Sequence, residues 1–157
     1  MKETLLSKPR IVYLASCLDK KKGEIPLFVT NTINDAVTKH IERIRRKGSD
    51  LKDFEEKINA PNRYGFILGG EFLIVKKISF YKPGNIFCVL SSETNGIETP
   101  YSYHKDEADA VAFLQQWLDI ESITTKADGS RIVDGVTDSK IGTEKLTSRY
   151  IIRIFDI

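Results

Sequence analysis

The sequence predicts an α+β fold in a single domain over residues 1–157: two N-terminal strands, a helical pair, an antiparallel four-stranded meander, a further helix and a C-terminal strand. Three observations predict it. β-Branched and apolar residues gather in short runs, clearest at Arg10 to Cys17 and Leu146 to Ile157. Ile33, Val37, Ile41 and Ile44 form a stripe with helical spacing. Turn signals at Gly69-Gly70, Pro83-Gly84-Asn85 and Asn95-Gly96 punctuate the middle of the chain.

Arg10 to Cys17 reads as a strand, Asp19 to Glu24 as a polar turn and Pro26 to Thr30 as its partner, giving a hairpin. Asn31 to Asn34 supplies N-cap candidates for a helix running to about Lys47, with Gly48 placed to end it. His40, Arg43 and Lys47 then line one margin of the apolar stripe. A short second helix is expected from Ser49 or Asp50, with Leu51, Phe54 and Ile58 facing inward and Pro61 ending it. Tyr64 to Leu68, Glu71 to Tyr81, Ile86 to Ser92 and Ile97 to Tyr103 are the four meander strands, and alternation puts Thr99, Tyr101 and Tyr103 on one face. Asp106, Glu107 and Asp109 suit the positive end of a helix whose apolar face is Ala110, Val111, Leu114, Trp117 and Leu118. Ser122 to Ser130 reads as a loop, Arg131 to Val133 as a short strand, Asp134-Gly135 as a turn and Leu146 to Ile157 as a strand tied into a sheet. No internal repeat is evident along the chain.

Composition bounds the function without naming it. At 157 residues and 41% hydrophobic, the chain buries a core unaided and is neither collagen-like nor disordered. Its 24 Lys and Arg against 22 Asp and Glu leave a net charge of +2, far from a histone-like DNA binder. Cys17 and Cys88 sit in apolar runs and read as reduced core thiols. No stretch approaches the ~20 apolar residues of a membrane span, and the first ten residues lack a signal-peptide core, so a cytoplasmic location with no membrane partner is expected.

Motif chemistry is excluded more firmly than it is assigned. There is no phosphate-binding glycine loop, no G-x-S-x-G nucleophile elbow and no paired Cys/His spacing for zinc, so no cofactor and no metal is expected. What remains is His40 on a basic helix margin, and strands bearing Lys76, Lys77, Thr99 and Tyr101 with His104 just beyond. Metal-free RNA cleavage needs such groups: an imidazole to move a proton at the ribose 2′-hydroxyl, cations for the crowded phosphate and an aromatic to stack a base. Each has a plainer reading, as a hydrogen-bonded boundary histidine, a helix-cap neighbour or a cross-strand packing ladder.

The segment Thr38-Lys39-His40-Ile41-Glu42-Arg43-Ile44, Gly48, Leu51-Lys52-Asp53-Phe54-Glu55, Ile58 and Pro61, followed by Thr99-Pro100-Tyr101, resembles the barnase/colicin/RelE-like nuclease superfamily in its phage- and toxin-associated branch. The likeness covers roughly residues 10–104 and leaves 105–157 as a helix-plus-strand extension. It implies His40 as the proton-transfer residue, Arg43 and Lys77 as phosphate contacts and Thr99 as the orienting group. His104 as a second catalytic residue, and Lys47, Lys76 and Tyr101 as RNA contacts, are added from the residues themselves. Three functions follow as expectations. The first is a small metal-independent endoribonuclease, toxin or phage-related effector held by a cognate protein. The second is a non-catalytic protein-binding immunity or antidefence factor. The third is an RNA-binding module without cleavage, resting on Lys20 to Lys22, Arg43, Arg46 and Lys47.

Overall fold

The computed structural model describes residues 10–48, 55–68, 70–80, 86–137 and 146–157, and the chain divides into two compact units, residues 1–85 with Ile157 and residues 86–156. In the first unit, β1 (Arg10–Asp19) and β2 (Gly23–Thr30) precede α1 (Ile33–Arg46), and β3 (Glu55–Ala60), β4 (Arg63–Leu68) and β5 (Glu71–Phe80) follow it. These strands lie in the order β3-β4-β5-β1-β2, every pairing antiparallel. The second unit has β6 (Ile86–Thr94), β7 (Ile97–His104), α2 (Glu107–Leu114), β8 (Leu118–Thr125), β9 (Arg131–Thr137) and β10 (Leu146–Asp156). Its order is β8-β9-β10-β6-β7, again antiparallel throughout.

The two units therefore share one ββαβββ plan with the same strand order, a repeat that the amino-acid pattern conceals. The register makes residue equivalences explicit. A bulge falls after Ala15 in β1 and after Leu90 in β6, so Ser16 opposite Pro26 corresponds to Ser91 opposite Pro100. Each helix starts on a side-chain cap: Thr32 accepts the N–H of Asp35 at 3.1 Å, and Asp106 accepts that of Asp109 at 2.7 Å. Both then read Asp-Ala-Val, at Asp35-Ala36-Val37 and Asp109-Ala110-Val111. An ion pair repeats as well. Lys76 reaches Glu24 at 2.7 Å in the first unit, and Arg153 grips Glu98 through two bonds of 2.9 and 2.7 Å at the matching positions of the second.

Each helix packs on the same side of its own strands. Ala15, Ala36, Phe66, Leu73 and Val75 form the core under α1, and Leu90, Ala110, Val133 and Ile152, with Cys88, Leu114 and Leu118, form the core under α2. Burying apolar area of this kind stabilises at about 25 cal/mol per Å². The helix faces align over their shared length: Ala36 and His40 face inward from α1 as Ala110 and Leu114 do from α2, but α2 ends at Leu114, so Trp117 and Leu118, expected on its apolar face, lie beyond it and Leu118 opens β8. His40 thus holds the place of a core leucine.

The expected architecture is corrected in several places. Among the described residues there are two helices and ten strands, so the α+β arrangement of a helical pair and a four-stranded meander gives way to a mostly β fold. The expected second helix begins at residues 49–54, outside the described residues, and its remainder is strand β3. The meander fails at its centre: β5 pairs with β1 and β4, and β6 with β7 and β10, so Pro83-Gly84-Asn85 does not join adjacent strands. Ser122 to Thr125 belongs to β8 and Asp134-Gly135 lies inside β9. Glycine at 135 answers a close approach, since a Cβ there would stand 2.5 Å from the Asp119 carbonyl oxygen and 2.7 Å from Leu118.

Candidate nucleic-acid interface

The β1–β2 turn and the end of α1 come together in the first unit. Asp19 accepts the N–H groups of Lys21 at 2.7 Å and Lys22 at 3.1 Å, and Gly23, with φ 91°, completes the reversal. The chain then runs along β2 and returns through α1, bringing the helix C-terminus back to that turn. Glu71, the first residue of β5, fixes the return. It accepts from Arg43 and, at 3.1 Å, from Lys47, while its chain neighbour Phe72 pairs with Leu18 at the end of β1. Burial pushes the Glu71 carboxyl upward, yet the hydrogen bonds from Lys47 and Arg43 outweigh it and hold its pKa below the ordinary value.

One end of this unit consequently gathers Lys20, Lys21, Lys22, Arg43, Arg45, Arg46 and Lys47, all exposed except the half-buried Arg43. Among the described residues, Lys20, Lys21, Lys22, Arg45 and Arg46 have no carboxylate partner within ion-pair distance. Lys39, one turn earlier on α1, lies 5.5 Å from the centre of the Phe28 ring. The charge is unevenly divided along the chain. Residues 1–85 carry 17 Lys and Arg against 10 Asp and Glu, a net +7; residues 86–157 carry 7 against 12, a net −5. The overall +2 hides two opposed halves.

His40 is brought near Arg43, Lys47 and Glu71 but is not presented to solvent. It is 2% exposed, and neither ring nitrogen has a hydrogen-bond partner among the described residues. Burial first, and the Arg43 charge second, lower its pKa, so the ring stays neutral. The expected helix margin is in fact the centre of the packed face, because Ala36 and Ile44 define that face. Cys17, half-buried nearby, has its thiol pushed upward by burial and by Glu71. Lys76 is engaged by Glu24, and Lys77 is half-buried on β5.

Thr99, Tyr101 and His104 belong to the other unit. The β6–β7 bulge breaks the expected row: Tyr103 stacks on Phe87, whereas Tyr101 packs against Phe113 and Trp117 beside α2. Thr99 is exposed and pairs with Ser92. His104 Nε2 lies 2.7 Å from Ser102 Oγ and its Nδ1 lies 2.9 Å from Asp109. That connectivity is the one a serine hydrolase uses. Here the imidazole is buried beneath Phe113, ring centres 5.0 Å apart, and ties β7 to the first turn of α2. A cavity of about 360 Å³ opens elsewhere in this unit, against Ser92, Glu93, Asp134, Ser148, Arg149 and Tyr150, and holds none of the expected site residues.

Sequence reasoning passed over Arg45 in the cationic end. Two signals pointed there: the charge difference between the halves, and the repeated Asp-Ala-Val that aligns a cationic helix with one that has no Lys or Arg. No metal-holding group of His, Cys, Asp and Glu occurs among the described residues, and no helix there is long and apolar enough to cross a membrane. Comparison of the chain with protein-family models, with curated protein sequences and with solved structures returns no match.

Proposed function

We propose that the protein is an RNA-binding module that holds the phosphate backbone at the cationic end of its first unit and does not cleave it. One observation carries this reading: the β1–β2 turn and the C-terminus of α1 concentrate seven cations at one end of a unit of net charge +7. Anionic backbones are recognised by such clusters, with affinity drawn from released counterions. The cleaving alternative has less support, because an imidazole 2% exposed has no access to a 2′-hydroxyl, and Arg43 and Lys47 already bind Glu71.

A fluorescein-labelled single-stranded RNA, followed by anisotropy, tests the reading. Four or five phosphate contacts predict a loss of affinity of about 50- to 130-fold between 50 and 200 mM salt. Reversing Lys20, Lys21, Arg45 and Arg46 to Glu abolishes binding without unfolding the protein. Salt-independent binding, or full binding by the reversed variant, contradicts it. Cyclic-phosphate ends formed in EDTA by wild-type protein but not by His40→Ala bring the cleaving reading back.

A further inference from the structure

The repeat separates the side chains that the fold requires from those peculiar to the second unit. Register about the bulge sets Ser102 where the first unit has Phe28 and His104 where it has Thr30, and the capped helix starts match Asp109 with Asp35. In the first unit the junction of strand and helix is made without an imidazole, by Thr30 Oγ1 donating to the Thr32 carbonyl at 2.8 Å. In the second unit three groups stand in line there. Asp109 Oδ2 lies 2.9 Å from His104 Nδ1, and Ser102 Oγ lies 2.7 Å from His104 Nε2. A carboxylate only accepts, so the neutral ring carries its hydrogen on Nδ1 and Nε2 is left to accept the Ser102 hydroxyl. The His104 side chain is 7% exposed while Ser102 is half-buried, so the ring is held and the hydroxyl can be reached.

We propose that Ser102 is a nucleophile that His104 deprotonates and Asp109 positions, and that the second unit hydrolyses esters of apolar acyl groups. The acyl class follows from the neighbouring rings. Phe113 lies 5.0 Å from the His104 ring and 6.1 Å from that of Tyr101, which is 60% exposed and precedes Ser102 in the chain. An apolar group seated on Tyr101 brings its carboxyl carbon beside the hydroxyl. Ser102 Oγ bonds to that carbon as its proton passes to Nε2, and the proton goes on to the leaving alcohol as the ester C–O bond breaks. Water repeats both transfers, releasing the acid and restoring Ser102. The inference does not depend on RNA binding by the first unit.

A rhodamine-tagged fluorophosphonate is the probe, since its phosphorus bonds to an activated serine oxygen and expels fluoride. The full-length protein is labelled on Ser102, located by peptide mass spectrometry, and releases nitrophenol from p-nitrophenyl butyrate. Ser102→Ala abolishes both. His104→Thr, which takes the residue of the first unit, slows both by about a hundredfold or more while far-ultraviolet circular dichroism stays unchanged. Asp109→Asn, which keeps the shape but not the charge, slows both by about tenfold or more. A wild-type protein that takes no label on Ser102 overturns the proposal, as does a His104→Thr protein labelled at the wild-type rate. Nitrophenol release that survives Ser102→Ala assigns the hydrolysis to another group and also overturns it.

Discussion

The two units solve one folding problem twice and spend their surfaces differently. Under α1, the inward series is Ala36, His40 and Ile44; under the shorter α2 it is Ala110 and Leu114. Outside, α1 ends in a cationic cluster and α2 in a clasp of aromatic rings. What both units keep is structural: the bulge, the cap, the helix–strand core and the cross-strand ion pair. What differs between them is therefore the place to look for function. It also changes the standing of Lys76, which matches Arg153 as a member of the conserved-in-place ion pair.

Breaking that pair is the harshest test of the equivalence. Glu98 is 4% exposed and takes both bonds from Arg153, whose basicity the Glu98 hydrogen bonds raise. Glu98→Ala leaves the part-buried Arg153 guanidinium to the Asp128 carboxylate, 3.6 Å away, and costs about 3 kcal/mol in urea unfolding. The matching Glu24→Ala frees a more solvated lysine and costs about 1 kcal/mol. Equal losses would mean the two pairs are not the same feature at different depths.

Leu114→His writes the α1 residue into α2. With no partner waiting for the ring, it costs about 2–4 kcal/mol, measured by the same unfolding curves. A smaller effect separates the thiols. Burial pushes the Cys88 thiol up to about 12, while Cys17 is only half-buried, so a thiol-specific chromophore titrates one cysteine per native chain and the second only after unfolding.

How much of this was legible beforehand depended on burial. Helix α1 announced itself through its stripe and cap, and β10 through its apolar run; it lies between β6 and β9. Strands β3 and β8 did not, because they stand at the far end of each unit's strand order, and β8 turns almost wholly to solvent past Ile120. Glu55–Ala60 opens on three charged residues, Glu55, Glu56 and Lys57, so its first half has no apolar alternation to read, and a helix was expected where it begins. The β5–β1 and β10–β6 pairings are long-range, so turn signals between neighbours suggested a meander instead. The site divided in the same way. The cations at Lys20 to Lys22, Arg43, Arg46 and Lys47 were visible as a charge pattern, but a stripe drawn through Ile33, Val37, Ile41 and Ile44 left His40 at its edge, whereas Ala36, His40 and Ile44 are the residues that face inward. The repeat itself survives in few identities, among them Ser16 with Ser91, Glu24 with Glu98 and Pro26 with Pro100.

Replacing His40 by leucine, the residue α2 uses at that position, tests the central claim most directly. A buried ring with no hydrogen-bond partner among the described residues gives way to a side chain the packing accepts, so stability rises by about 1–2 kcal/mol and the melting temperature by about 3–6 °C. The pH dependence sharpens the result. Burial and Arg43 lower the His40 pKa, with Lys47 opposing protonation and Glu71 favouring it, so the unfolded chain binds the proton more readily. Wild-type stability accordingly falls as pH drops through the unfolded value near 6.5, and His40→Leu removes that part of the slope. Affinity for RNA stays unchanged. A His40→Leu protein that melts lower than wild type, or that loses its grip on RNA, would contradict the equivalence of the two units and return His40 to the functional site.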